Sequence, residues 1–382
     1  MKKILFAGFT EADVGTIMPV ADVLRGRASV AFLAGLMEPA AVSNHESFAL
    51  PKRAHSAESL TKRERSIVAA TRDAECLALS DQWVSRYPAF VESTLVLWAP
   101  DLVVLTPNDV EPSIVARAAR KLGVPYVCVL PQFYEFKYDA LLEPYADALA
   151  YVVAGRLGHD RLLTLGVPER RIRRLGNPKF DALLTQPQRE PGHRSTATVP
   201  SLLYVSQALP ENHVLWRRLL RYLRGRPAVR LELRVHPGAR GGRGEDARPF
   251  LESVSGDLRT RVTVGYGELV PQLERATAFV TIHSNAVFDA WAASCPVVLW
   301  SPECLPSRVP FASLGGARVA RNFAELELHL DNALGDTEDR SNCISAGHAS
   351  IEALIGHTSS TAAVADFLLA SASLDAVIGR KT

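Results

Sequence analysis

Short aliphatic, β-branched runs alternate along this chain with longer stretches whose apolar positions recur every three or four residues. Residues 3–9 predict a buried strand, 16–25 a helix and 29–33 a second strand. Residues 101–106 predict a strand, 112–122 a helix with Pro112 in its first turn, and 125–130 another strand. The strand–helix step repeats at 148–153 and 156–165. Such alternation predicts a parallel sheet wrapped by helices.

Residues 185–200 break the rhythm. Pro187, Pro191, Gly192 and a Ser195-Thr196-Ala197-Thr198 run carry no apolar period, the composition of a linker. The alternation then restarts, with strands at 202–205, 230–235, 261–264, 279–282 and 296–300. Helices are predicted at 212–223, 269–274, 286–293, 323–334 and 361–370. The organisation expected is a first doubly wound domain over 1–185, a linker over 186–200 and a second such domain over 201–360. A terminal helix and tail follow over 361–382.

A length of 382 residues accommodates two such domains at about 100–200 residues each. With 47% apolar and 22% charged residues, a disordered chain is excluded. The formal net charge of +2 is too small to hold nucleic acid by bulk charge, so no nucleic-acid partner is expected. No apolar run reaches the length of a membrane span, and the one after Met1 is too short for a signal core. Five cysteines without metal-ligand spacing read as reduced thiols of a cytoplasmic protein. On the predicted helix from 212, Leu215, Leu219 and Leu223 share a face beside Trp216 and Leu220, with arginines around them. That face is expected to pack on the sheet. The alternative is a basic collar making weak, peripheral contact with anionic lipid at the inner face of the cell membrane.

Ligands of open parallel sheets bind beyond the carboxyl ends of the strands, so the candidate chemistry is sought there. Ser206 ends one predicted strand. Another runs into His236, where Pro237 stops pairing and Gly238 lets the backbone turn. A third runs into His283-Ser284-Asn285, where Ser284 or Asn285 caps the next helix and leaves backbone N–H groups for an anion. A hydroxyl, an imidazole and a helix start on one edge suit a nucleotide phosphate. In the first half, Glu11, Asp13 and Asp109 follow strands and qualify as general bases for a substrate hydroxyl. As helix-start or capping acids they would need no catalytic role. Neither a dinucleotide fingerprint nor a phosphate loop with its lysine is present, and no His or Cys pair has metal-ligand spacing. No cofactor or metal is expected.

His236-Pro237, then Val280-Thr281-Ile282-His283-Ser284-Asn285 with Asp289-Ala290, then Cys295-Pro296-Val297-Val298, resemble the His-Pro and Ser motifs of bacterial GT-B glycosyltransferases. That group includes enzymes using CMP-activated Kdo or sialic acid in capsule and lipopolysaccharide assembly, and the CDP-glycerol polymerases. Gly166-Val167-Pro168 and Leu175-Gly176-Asn177-Pro178-Lys179-Phe180-Asp181 are similar to the segment closing the first domain there and in UDP-N-acetylglucosamine 2-epimerases. The resemblance implies an α/β GT-B fold, two Rossmann-like domains facing across a cleft. It implies a metal-independent transferase taking a nucleotide sugar, a CMP-activated 2-keto sugar such as Kdo, to a glycan or glycolipid acceptor. His236, Ser284 and Asn285 would contact the donor phosphate, Asp289 the ribose, and Tyr266 to Leu269 the base. Asn108-Asp109 falls where the epimerases carry a catalytic Asp. Ser284-Asn285-Ala286-Val287 departs from the Ser-Gly-Gly run of the epimerases, and Asn285 from the second Ser of the CDP-glycerol enzymes. An epimerase and a non-catalytic sugar-nucleotide-binding subunit stand as the alternatives.

Overall fold

The computed structural model describes residues 1–7, 14–34, 45–49, 81–107, 110–130, 143–181, 199–206, 211–235, 250, 252–265, 269–282, 284–302, 311, 314–335, 337–355 and 359–374. The chain divides into two compact units. One comprises Met1–Ala182 with Leu354–Thr382, the other Leu183–Ala353.

The first unit carries strands β1 (Lys2–Ala7), β2 (Ala28–Ala34), β3 (Glu46–Ala49), β4 (Leu102–Leu105), β5 (Tyr126–Leu130), β6 (Ala150–Val153) and β7 (Ile172–Arg174). They form one parallel sheet in the order β3-β2-β1-β4-β5-β6-β7. Its central strands are apolar on both sides, as a sheet with both faces covered requires. Alternate residues feed two cores. Leu5, Ala7, Val103 and Leu105 face helices α2 (Asp81–Trp98), α3 (Val110–Leu122) and α4 (Arg156–Thr164). Ile4, Phe6, Leu102 and Val104 face α1 (Val14–Leu24).

The second unit repeats the plan with β8 (Ser201–Val205), β9 (Arg230–Arg234), β10 (Val262–Gly265), β11 (Ala278–Thr281), β12 (Val297–Trp300) and β13 (Ala317–Ala320). The parallel order is β10-β9-β8-β11-β12-β13. Helices α5 (Asn212–Arg224) and α8 (Phe323–Leu334) cover one face, with Leu202, Tyr204, Val280 and Val298 beneath them. Helices α6 (Leu269–Arg275), α7 (Ala286–Ala292) and α9 (Glu338–Ile355) complete this unit.

Most expected elements occur within a residue or two of their predicted bounds. The terminal helix expected over 361–382 is α10 (Ser360–Leu374), and it belongs to the first unit. Val364, Ala365, Leu368 and Ala372 join Ile17, Val20, Ala21 and Leu24 of α1 over the first sheet. Burial of that apolar stripe is what brings the chain back. The Asp181 carboxylate accepts the Ser360 and Thr361 amides at 3.0 and 2.7 Å, capping α10 from far away in sequence. Asn177 is equally structural: buried, its Oδ1 accepts the Lys179 amide at 3.0 Å and the Thr16 hydroxyl at 3.2 Å. Of the linker expected over 186–200, residues 186–198 lie outside the described residues.

Candidate functional site at the carboxyl edge of the second sheet

In the second sheet, strand order singles out one place. Chain progression leads outward from β8 through β9 to β10 on one side, and from β11 through β12 to β13 on the other. The switch point therefore lies between β8 and β11, where ligands of such sheets collect.

Val280 of β11 is level with Tyr204 of β8, and the buried Thr281 hydroxyl donates to the Val205 carbonyl at 2.9 Å. One step on, the Ser206 amide donates to the Arg234 carbonyl at 3.0 Å, and the Val235 amide to the Gly265 carbonyl at 3.3 Å. Ser206, Val235 and Ile282 thus leave the sheet along one edge. Ser206 is fully buried. Val235 is the residue before His236, but His236 and Pro237 lie outside the described residues, as does His283.

Past Ile282, Ser284 and Asn285 are half-buried and lead into α7. Ser284 rather than Asn285 supplies the side-chain cap: Ser284 Oγ accepts the Ala286 amide at 3.2 Å, and Asn285 makes no capping bond. The Ser284 and Asn285 carbonyls accept the Val287 and Phe288 amides, both at 3.1 Å. The opening amides of α7 therefore have acceptors within the chain, unlike the unpaired donors expected from sequence. Because Ser284 Oγ is already an acceptor, its own O–H is the donor it has to offer. Asp289, half-buried, lies one turn into the helix.

The buried side of α7 is fixed by aromatic packing. Phe288, Trp291 and Phe311 meet edge-to-face with centroids 5.1–5.6 Å apart, and the Trp291 indole N–H donates to the Gly316 carbonyl at 2.6 Å.

A polar cluster at the same edge had no place in the sequence reading. Arg234 Nη1 donates to Gln272 Oε1 at 2.9 Å, and Gln272 Nε2 donates to Glu232 Oε1 at 2.8 Å. Arg275 pairs with the second oxygen of Glu232 at 3.5 Å. Gln272 is buried on α6, and a β-carbon on Gly265 would come within 2.9 Å of its amide nitrogen. The signal was the alternation Arg230-Leu231-Glu232-Leu233-Arg234, which is unusual for a parallel strand away from the sheet edge. Leu269 opens α6 and is half-buried; Tyr266 lies outside the described residues.

In the first unit the equivalent switch point flanks β1 and β4, with Ala7 level with Leu105. Glu11 belongs to the segment between β1 and α1, and Asp109 to the one between β4 and α3. Both residues lie outside the described residues. Thr106, just after β4, is fully buried. Among the described residues no three His, Cys, Asp or Glu side chains cluster as a metal site.

No family model and no curated protein matches this sequence. Solved structures do match its fold. The S. aureus MnaA–UDP complex superposes with a TM-score of 0.66 at 14% identity, over 95% of this chain and 94% of that one. The Neisseria meningitidis UDP-GlcNAc 2-epimerase bound to UDP-GlcNAc gives 0.66 at 14% identity, over 97% and 100%. Acinetobacter baumannii MurG gives 0.59 at 14% identity, over 96% and 99%. The fold is that of the GT-B proteins.

Proposed function

We propose that this chain is a nucleotide-sugar enzyme: a glycosyltransferase that holds its donor at the carboxyl edge of the second sheet and works without a metal. The observation that carries the reading is the emergence of Ser206, Val235 and Ile282 along one edge at the switch point of a GT-B fold. Ser206, His236, Ser284 and Asn285 are the proposed contacts of the donor phosphate, with Pro237 turning the chain beside His236. Asp289 is assigned to the ribose, and Tyr266 with Leu269 to the base.

In the proposed transfer, the bond from the anomeric carbon to the phosphate oxygen breaks as the acceptor oxygen attacks. The anomeric centre passes through an oxocarbenium-like state. The electron pair of the breaking bond stays on the phosphate. Donors that strengthen their hold as that charge grows lower the barrier. The Ser284 hydroxyl is such a donor, because the Ala286 amide already occupies its oxygen as acceptor. The acceptor hydroxyl loses its proton to Glu11 or Asp109, with Glu11 ranked first, since the loop after the first strand faces the donor in the resembling family.

Two observations bear on the donor. The motifs at 236–237 and 284–289 favour a CMP-activated 2-keto sugar such as Kdo. The UDP and UDP-GlcNAc held by the MnaA and Neisseria structures favour a uridine nucleotide. Those same neighbours favour the second reading, a sugar-nucleotide 2-epimerase; the absence of a Ser-Gly-Gly run at 284–287 weighs against it. The acceptor proposed is a surface glycan or a glycolipid.

Incubation with CMP-, CDP- and UDP-sugars, with and without an acceptor extract, separates the readings. Acceptor-dependent release of free nucleotide supports transfer. Interconversion of the sugar without nucleotide release supports the epimerase. Binding without either makes the chain a sugar-nucleotide-binding subunit.

A further inference from the structure

The outer surface of the α5–α8 layer has no part in the donor site, and its chemistry points elsewhere. Leu215, Trp216, Leu219, Leu220 and Leu223 are buried on the second sheet, so the apolar face of α5 is used in folding. On the outer stripe, Val214, Arg217, Arg218, Arg221 and Arg224 succeed one another at three- and four-residue steps. Arg217, Arg221 and Arg224 are exposed, and Arg218 is half-buried.

These four arginines differ from their neighbour Arg226. Arg226 is neutralised by Asp331 through two guanidinium nitrogens, with Glu327 at 3.4 Å. None of the four has a carboxylate within ion-pair distance among the described residues. Instead, Arg218 and Arg221 are held over the Phe323 ring at 5.3 and 4.8 Å. That stacking fixes two planar guanidinium groups side by side, with less side-chain freedom to lose when they meet phosphate. Exposed Arg321 adds charge at the start of α8, where the Glu325 carboxylate is taken up by the Arg321 amide and Asn322 Nδ2.

Two apolar side chains accompany the charge. Val214 is 40% exposed on α5 and Leu328 is 56% exposed on α8. Among the described residues no helix is long and apolar enough to cross a membrane. An arginine surface with exposed aliphatic side chains suits the headgroup region of an anionic bilayer, which takes both. With a net charge of +2, long-range attraction is small and the contact must be local.

We propose that the outer surface of α5 and α8, through Arg217, Arg218, Arg221 and Arg224 beside Phe323, docks this protein on an anionic lipid bilayer. Association is peripheral and salt-sensitive, and it stands independently of the donor-site reading.

The test uses the full chain in co-sedimentation with vesicles of phosphatidylglycerol and phosphatidylcholine, and with phosphatidylcholine alone. Binding is expected to the anionic vesicles at low salt, with loss at high salt and none to neutral vesicles. Each arginine near an anionic surface contributes about fivefold, so R217E/R221E/R224E should lower partitioning by about 100-fold or more. R217A/R224A removes only exposed side chains without a described ion pair and should lower it about 25-fold with unchanged thermal unfolding. Absence of binding to anionic vesicles at low salt overturns the proposal, as does binding that both variants retain. Tighter, arginine-dependent binding to a single-stranded oligonucleotide than to the vesicles would overturn it in favour of nucleic acid.

Discussion

Gly347 on α9 offers a bare α-carbon to the indole of Trp291 on α7: a β-carbon there would sit 2.6 Å from Trp291 Cδ1. Together with the Trp291–Gly316 hydrogen bond, this contact fixes the depth at which α7 packs, and with it the position of Ser284, Asn285 and Asp289. Gly347→Ala should therefore destabilise the second unit by overpacking, by about 1–3 kcal/mol. Thermal unfolding measures it. An unchanged melting temperature would show that α7 and α9 separate without cost.

His236 follows the edge residue Val235 and is assigned to the donor phosphate. His236→Ala should weaken nucleotide binding while leaving the melting temperature nearly unchanged, as expected of a side chain that serves a ligand rather than the core. Calorimetric titration with CMP and UDP, beside a thermal melt, checks both halves. A large loss of stability with unaltered affinity would make the histidine structural.

Glu11→Gln and Asp109→Asn test the base. A general base contributes roughly 10²–10⁴-fold to rate. One of the two substitutions should cut turnover by that order and leave nucleotide affinity in place. Full rate in both variants would move the base to another residue.

Two carboxylates make stability depend on pH. Burial pushes the Asp331 carboxyl up, but hydrogen bonds from Arg226 and Tyr222 outweigh it and hold the group below its ordinary 3.8. Asp339 is likewise held down, chiefly by its bond from Arg318. A carboxylate with a lowered folded value stabilises fully above the unfolded value of about 3.9 and loses that contribution as pH falls through the folded one. Melting temperatures of the wild type and of Asp331→Asn with Asp339→Asn should differ at neutral pH and converge in acid below that window. Curves that stay parallel throughout would contradict the assignment.

Regular elements were legible wherever one periodicity dominated. Helix α8 matches its predicted bounds because Leu326, Leu330 and Ala333 mark its buried face and Asn322 caps it, accepting the Glu325 amide at 2.9 Å. Helix α9 was not legible: Gly347 and several serines thin its apolar stripe to Cys343, Ile344, Ile351 and Leu354, and Gly347 and Ser350 fit it against Trp291 and the Leu314 carbonyl. The short strands β3, β7 and β13 escaped because polar residues such as Glu46, Arg173, Arg174 and Arg318 break the apolar run that marked four-residue strands like β4 and β12. The destination of α10 depends on which face of the first sheet remains uncovered, a property of the assembled unit rather than of residues 360–374. At the site, the strand ends were legible: Ser206 lies where β8 leaves the sheet and Ser284 lies just before α7. The Arg234–Gln272–Glu232 cluster required knowing that α6 packs beside β9 and β10.

The claim that the donor nucleotide is held at the carboxyl edge of the second sheet is tested most directly by hydrogen–deuterium exchange of the full chain with and without UDP or CMP. The account predicts slowed exchange in peptides covering 206–210, 235–238 and 282–289, with α5 and α8 unaffected. Nucleotide-dependent protection confined to other segments, or turnover of a nucleotide sugar with no protection at this edge, would contradict it.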